Sequence, residues 1–211
     1  MSPMTTNVPA GPLTVGFDLD LTLLDTRPGI RRTWEEFAAA YGVDVDADLV
    51  VSRLGPPLEQ EMAHWVPADQ VTDMAARYRA LYGVHAFAPT APMPGARDAL
   101  DAVREAGGRT LVVTAKNGPH AEQHFAHLGI EPDAVVGGLF AEGKAEALRA
   151  HGASVYVGDH VGDVRGAKAA GALSVAVATG PCAPGELRAA GADVVLKDLT
   201  DFRAWWETYT R

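Results

Sequence analysis

The sequence predicts an α/β fold: a Rossmann-like parallel sheet core with helices on both faces and an all-helical segment inserted after the first strand. Three observations carry the prediction. An apolar run, Leu13 to Phe17, reads as a buried strand near the start of the chain. Residues 27–90 then show helical spacing and no strand-like run. From residue 95 onward, short apolar runs alternate with helical segments, the βαβα pattern of a parallel sheet covered on both faces.

In order, Gly29 to Tyr41 places Ile30, Trp34, Phe37, Ala38 and Tyr41 on one helical face, and Gly42 stops it. Asp46 to Leu54 reads as a second helix, broken by Gly55-Pro56-Pro57. Leu58 to Trp65 and Ala68 to His85 continue in helical register, and Pro89, Pro92 and Pro94-Gly95 close the segment. The alternation that follows gives helices at 96–105, 119–128, 144–151, 161–170, 184–190 and 201–209. Its strands fall at 110–113, 134–136, 154–157, 173–177 and 193–196. The expected organisation is a mobile tail at 1–12, a catalytic core from 13–26 and 91–211, and a helical cap at 27–90.

Composition narrows the function. With 211 residues and 47% hydrophobic content the chain can bury a sizeable core. A net charge of −9 argues against binding a nucleic acid polymer or an anionic membrane surface, since no basic excess exists to neutralise phosphates. A small anionic substrate stays compatible, because a local metal and one Lys can dominate a site. Cys182 is the only cysteine, so no intrachain disulfide can form, which fits a cytoplasmic protein. No apolar run approaches the roughly 20 residues of a membrane helix, and residues 1–12 lack the regions of a secretory signal. A monomer or a homodimer fits equally.

The candidate chemistry gathers where apolar runs end. Asp18 and Asp20, at i and i+2, close the first strand; carboxylates ending a core strand call for a compensating cation, most simply a divalent metal, unless they are two acids on a solvated turn. Thr114 follows the 110–113 strand, where it either contacts a ligand or caps the next helix. Asp159 and Asp163 flank the turn after the 154–157 strand, as ligands or as an N-cap and a first-turn acid. Lys144 opens a helix, the unfavourable end of the dipole for a cation unless an anion lies beside it. In open α/β sheets this carboxyl edge is where ligands bind.

Two patterns mislead. Gly138 to Lys144 matches a P-loop except that Ala145 stands where a Ser or Thr should be. His120, His124 and His127 share a helix face, but with no acids or cysteines at that spacing they read as a solvated face. Trp34, Phe37, Trp65, Tyr78 and Tyr82 read mainly as packing residues, one or two of which line a cavity. Arg53, before Gly55-Pro56-Pro57, either reaches toward the site or is solvated.

Asp18-Leu19-Asp20-Leu21-Thr22, Val112-Val113-Thr114, Lys144, and Gly158-Asp159 with Asp163 stand in the order and spacing of the haloacid-dehalogenase superfamily. The chain resembles its phosphoglycolate phosphatase-like members with a helical cap, over residues 13–200. The resemblance implies a phosphatase of small phosphate monoesters: phosphoglycolate, a sugar phosphate or a nucleotide. Asp18 would be the nucleophile and Asp20 the general acid and base. Thr114 and Lys144 would hold the phosphoryl oxygens, and Arg53 is a candidate for substrate specificity. Mg²⁺ would bind Asp18, Asp20 through its backbone carbonyl, and Asp159, with Asp163 in the same cluster. Two departures stand out: the usual Gly before Thr22 is Leu21, and the usual Asn after Thr114 is Ala115. An acid at Asp20 argues against a dehalogenase. A phosphomutase of the same fold, similar to β-phosphoglucomutase, and a non-catalytic binding protein are the rival readings.

Overall fold

The computed structural model describes residues 13–211; the tail expected at 1–12 lies outside them. Strand β1 (Thr14–Phe17) is buried along its whole length, as its run of Thr, Val, Gly and Phe requires. The chain then forms β2 (Leu24–Asp25) and enters helices α1 (Arg27–Tyr41), α2 (Ala47–Ser52), α3 (Leu58–Met62) and α4 (Val71–His85). It leaves through β3 (Ala91–Pro92), which pairs antiparallel with β2. This two-stranded ribbon was not legible in the sequence, because two residues are too short for a periodicity to show.

The remainder alternates as α5 (Ala96–Glu105), β4 (Arg109–Val113), α6 (Gly118–Leu128), β5 (Ala134–Val136), α7 (Lys144–Ala150), β6 (Ala153–Gly158), α8 (Val161–Ala170), β7 (Leu173–Val177), α9 (Pro184–Ala189), β8 (Val194–Leu196) and α10 (Phe202–Tyr209). Short 3₁₀ turns at Ala141–Gly143 and Leu199–Asp201 precede α7 and α10. Helix boundaries lie within a few residues of the sequence expectation. The largest differences are α3, which ends at Met62 rather than continuing to Trp65, and α4, which starts at Val71 rather than Ala68.

The sheet is six-stranded, all parallel, in the order β5-β4-β1-β6-β7-β8. The chain builds outward from β1 on one side through β4 and β5, then returns to the other side through β6, β7 and β8. The order therefore reverses at β1/β6, and a crevice opens at the carboxyl ends of those strands. Phe17 pairs with Val112 on one side and Val157 on the other, so the residues just past each strand share one edge.

Four apolar clusters form among the described residues, and the two largest sit apart. One packs β1, β4 and β6 under α5, α6 and α10, with Phe17, Phe202 and Trp206 at its centre. The other lies wholly within the helices of residues 27–90 and gathers Ile30, Trp34, Phe37, Met62, Tyr78 and Tyr82. No helix among the described residues is long and apolar enough to cross a membrane.

Candidate active site

At the β1/β6 crevice, Asp18 continues β1; its backbone N–H donates to the Val157 carbonyl at 2.8 Å. Asp159 follows β6, and Asp163 lies in the first turn of α8. Asp18, Asp159 and Asp163 are all buried, and each offers a carboxylate oxygen within 4.8 Å of the others. Lys144, 2% exposed, projects from the start of α7 into the same space. Its Nζ donates to Asp18 Oδ1 at 2.8 Å, Asp163 Oδ1 at 2.6 Å and the Tyr156 hydroxyl at 2.8 Å. That contact resolves why a cation opens a helix: the anions beside it outweigh the dipole. The P-loop reading fails here, since the turn before Lys144 is 3₁₀ and the ammonium serves carboxylates.

The electrostatics follow from burial. Desolvation, aided by Asp163 and Asp20, pushes Asp18 well above the usual carboxylate range despite Lys144. Asp159 is raised for the same first reason, with Asp163 and Asp18 adding to it. Burial alone would lower the Lys144 ammonium, but Asp163 and Asp18 outweigh it and hold it above its ordinary value. One ammonium among three buried acids leaves an excess of negative charge. A hard divalent cation fits this set, because every donor is a carboxylate oxygen and the charge is undercompensated. Close packing supports the carboxylates: a Cβ at Gly158 would overlap the Asp163 side chain, and one at Gly180 would overlap the Asp159 carboxylate.

Asp20 takes a different position from the other three acids. Its carboxylate accepts from Thr26 and pairs with Lys116 Nζ at 3.1 Å. The turn that carries it holds Leu21 at φ +59, a left-handed conformation costly for a residue with a Cβ. This accounts for the Gly found there in the resembling family. Leu21 is 3% exposed, so burial of its side chain offsets the strain. Thr22 Oγ1 donates to Asp159 Oδ1 at 2.8 Å and ties the β1 and β6 ends together.

The other candidates resolve as follows. Thr114 is buried past β4, and its Oγ1 accepts from the Lys116 N–H at 3.2 Å; the N-cap of α6 is Asn117 instead. Asp159 is not a helix cap, since His160 takes that place. Asp163 satisfies both readings, accepting from the His160 N–H at 3.1 Å while Lys144 holds its other oxygen. Arg53 does not line the crevice. It makes a two-point pair with Glu61 at 2.7 and 2.8 Å, beside the Trp65 ring. Glu61 is out of reach of sequence spacing, being presented by the next helix. The histidine face is not uniformly solvated. His124 is fully buried, and His120 stacks on Tyr82, because α6 faces α4.

Two cavities meet at Asp20. The smaller, about 10 Å³, lies over Asp18, Lys144, Asp159 and Asp163 and is roofed by Leu54 and Gly55. That is about one water-sized sphere. Gly55 sits at φ +140 with its Cβ position 2.9 Å from the His160 ring, so only glycine allows this approach. The larger, about 100 Å³, lies between the helical segment and the sheet edge. Ile30, Trp34, Tyr78 and Tyr82 form its apolar wall, with Arg79, Lys116, Asn117 and His120 as polar groups. Sequence reasoning missed Lys116 as a site residue; of the aromatic residues expected mainly to pack, with one or two lining a cavity, Trp34, Tyr78 and Tyr82 line this one. Lys116 lies two residues past Thr114, and that proximity was the available signal.

Residues 15–177 match the family of haloacid dehalogenase-like hydrolases. A phosphoglycolate phosphatase from Caulobacter vibrioides is 28% identical over 209 residues, covering 89% of this chain and 88% of that protein. Pyrophosphatase PpaX from Halalkalibacterium halodurans is 26% identical over 202 residues, covering 89% and 94%. Among solved structures, that of a predicted phosphatase from Clostridium acetobutylicum superposes with a TM-score of 0.81 at 22% identity, over 93% of this chain and 99% of that one; this likeness shows the fold. With the match running from β1 through β7, across the whole acid cluster, the chain belongs to the haloacid dehalogenase-like hydrolase family.

Proposed function

We propose that this protein is a cytoplasmic, Mg²⁺-dependent phosphatase that hydrolyses a small phosphate monoester through an aspartyl phosphate on Asp18. The observation that carries the reading is the buried set of Asp18, Lys144, Asp159 and Asp163 at the β1/β6 crevice, with Asp20 facing the adjoining cavity. Relatives named for phosphoglycolate and for pyrophosphate support phosphoryl chemistry while differing in substrate.

Asp18 attacks phosphorus, the bond from phosphorus to the leaving oxygen breaks, and that oxygen takes a proton from Asp20. Water then attacks the aspartyl phosphate. Asp20 takes the water proton, the bond from phosphorus to the Asp18 oxygen breaks, and phosphate leaves. Lys144 and Thr114 hold phosphoryl oxygens, and Lys144 moderates the charge around Asp18. Asp18, Asp159 and Asp163 side chains, with the Asp20 carbonyl, would hold Mg²⁺, which supplies charge neutralisation at the transferring group. Residues 27–90 act as a cap that opens and closes on the β2–β3 ribbon, and Leu54 and Gly55 exclude water when it is seated. The cavity of about 100 Å³ beside Asp20 would take the leaving group.

The test is phosphate release from a panel of small phosphate esters, with and without Mg²⁺, beside Asp18→Asn. Expected are Mg²⁺-dependent release and its loss in the variant. Release of free phosphate also separates hydrolysis from transfer to a second hydroxyl, as in a mutase. A folded protein that releases phosphate from no ester, or a variant as active as the parent, would overturn the reading.

A further inference from the structure

Resting on that reading, we infer that Tyr82 is a positioning residue through which the helical segment acts on Asp20, with Lys116 as the intermediate. Tyr82 lies on α4, outside the sheet core, yet its hydroxyl sits between two side chains of the core. Lys116 Nζ donates to it at 2.7 Å, and it lies 2.7 Å from His124 Nε2. The same Nζ stands 3.1 Å from Asp20 Oδ1 and 4.6 Å from the centre of the Tyr82 ring. Tyr82 is 3% exposed, and the Lys116 side chain is 8% exposed.

Donor arithmetic orders the chain. An ammonium only donates, so the Tyr82 oxygen accepts from Lys116. The phenol proton is then free for His124 Nε2. Burial, with Lys116 nearby, lowers the His124 pKa to about 3, so its ring is neutral and able to accept. His124 keeps its proton on Nδ1, which has no partner. Packing alone does not call for the hydroxyl: a phenyl ring at 82 would fill the same space, but it would leave Lys116 Nζ and His124 Nε2 without the partner the hydroxyl gives each. What the hydroxyl adds is a fixed place for a flexible Lys head. With α4 seated, the Tyr82 oxygen and ring face hold Nζ beside Asp20; with α4 withdrawn, both contacts are lost. Asp20, Lys116 and Tyr82 all line the 100 Å³ cavity, so the same three groups border the leaving group.

A positioning role through the general acid depends on the leaving group, whereas a structural role does not. Tyr82→Phe, Lys116→Met and the double variant would be assayed on acetyl phosphate, whose acetate departs without a proton. They would also be assayed on the best small alkyl phosphate of the panel. Tyr82→Phe is expected to lower kcat on the alkyl ester about 10- to 100-fold, the scale of a lost hydrogen bond to a charged group, with KM little changed. On acetyl phosphate the loss is expected to stay below about threefold, since the acid step contributes little there. In the Lys116→Met background, Tyr82→Phe should cost nothing further. Equal losses on both esters, or losses that multiply in the double variant, would overturn the inference alone. A wild-type enzyme inert toward both esters would overturn the phosphatase reading and this inference with it.

Discussion

Replacing Lys144 with Met keeps most of the unbranched side chain and removes its charge from among the buried acids. The parent Nζ satisfies Asp18, Asp163 and Tyr156 at 2.6 to 2.8 Å with the Lys 2% exposed, so no solvent can substitute. Removing one partner of a buried ion pair costs about 3–5 kcal/mol, because the remaining charge is left uncompensated. For a chain of this length that corresponds to a fall in Tm of about 6–20 °C. The loss must depend on pH, with a defined sign. Asp18 has a folded-state pKa raised by burial from 3.8 to about 7, so the native state binds more protons than the unfolded chain across that window. Stability therefore falls as pH rises through it. Lys144 lowers the Asp18 value, and its removal steepens the fall. Thermal unfolding followed by circular dichroism from pH 5 to 8 checks this. The variant should approach the parent at pH 5 and lie furthest below it at pH 8, and Mg²⁺ should stabilise it at pH 8. A difference that is constant with pH, or larger at pH 5, would refute the charge argument.

Three further outcomes follow from single contacts. Leu21→Gly relieves a left-handed residue but exposes a cavity; lost burial outweighs relief, for a net destabilisation of about 1–2 kcal/mol by urea unfolding, and a stabilised variant would show that strain dominates. Gly180→Ala sets a methyl group into the Asp159 carboxylate, and the Mg²⁺ concentration for half-maximal activity should rise about tenfold or more; an unchanged value would mean that Asp159 does not serve the cation. Arg53→Ala removes a partly exposed pair with Glu61, worth about 1 kcal/mol or less, and should change kcat/KM less than about twofold; a large rise in KM would restore it as a substrate contact.

Much of the site was legible in the sequence. Asp18 and Asp159 stand at the ends of apolar runs, Asp163 shares the turn after Asp159, Lys144 opens a helix where the dipole disfavours a cation, and the structure brings all four together. Asp20 and Thr114 were equally visible, but their partners were not. Asp20 pairs with Lys116 and Thr26, and Thr114 accepts from the Lys116 backbone. Arg53 and His124 went the other way. Arg53 is engaged by Glu61 on a different helix, and His124 is covered by α4. Neither covering partner leaves a periodic trace near the residue it covers.

The sequence by itself determined the alternation of strands and helices, the place of the helical segment and the charged groups that gather at the β1/β6 crevice. These rest on local periodicity and on residues whose burial is costly without a partner. Only the tertiary structure decided the strand order that puts β1 beside β6, the chain from Asp20 through Lys116 to Tyr82, and the small cavity over the acids. The physical reason is range. Hydrophobic spacing acts within a segment, whereas the buried polar chain joins Lys116 to a side chain 34 residues away, and the two meet only when one core packs against another.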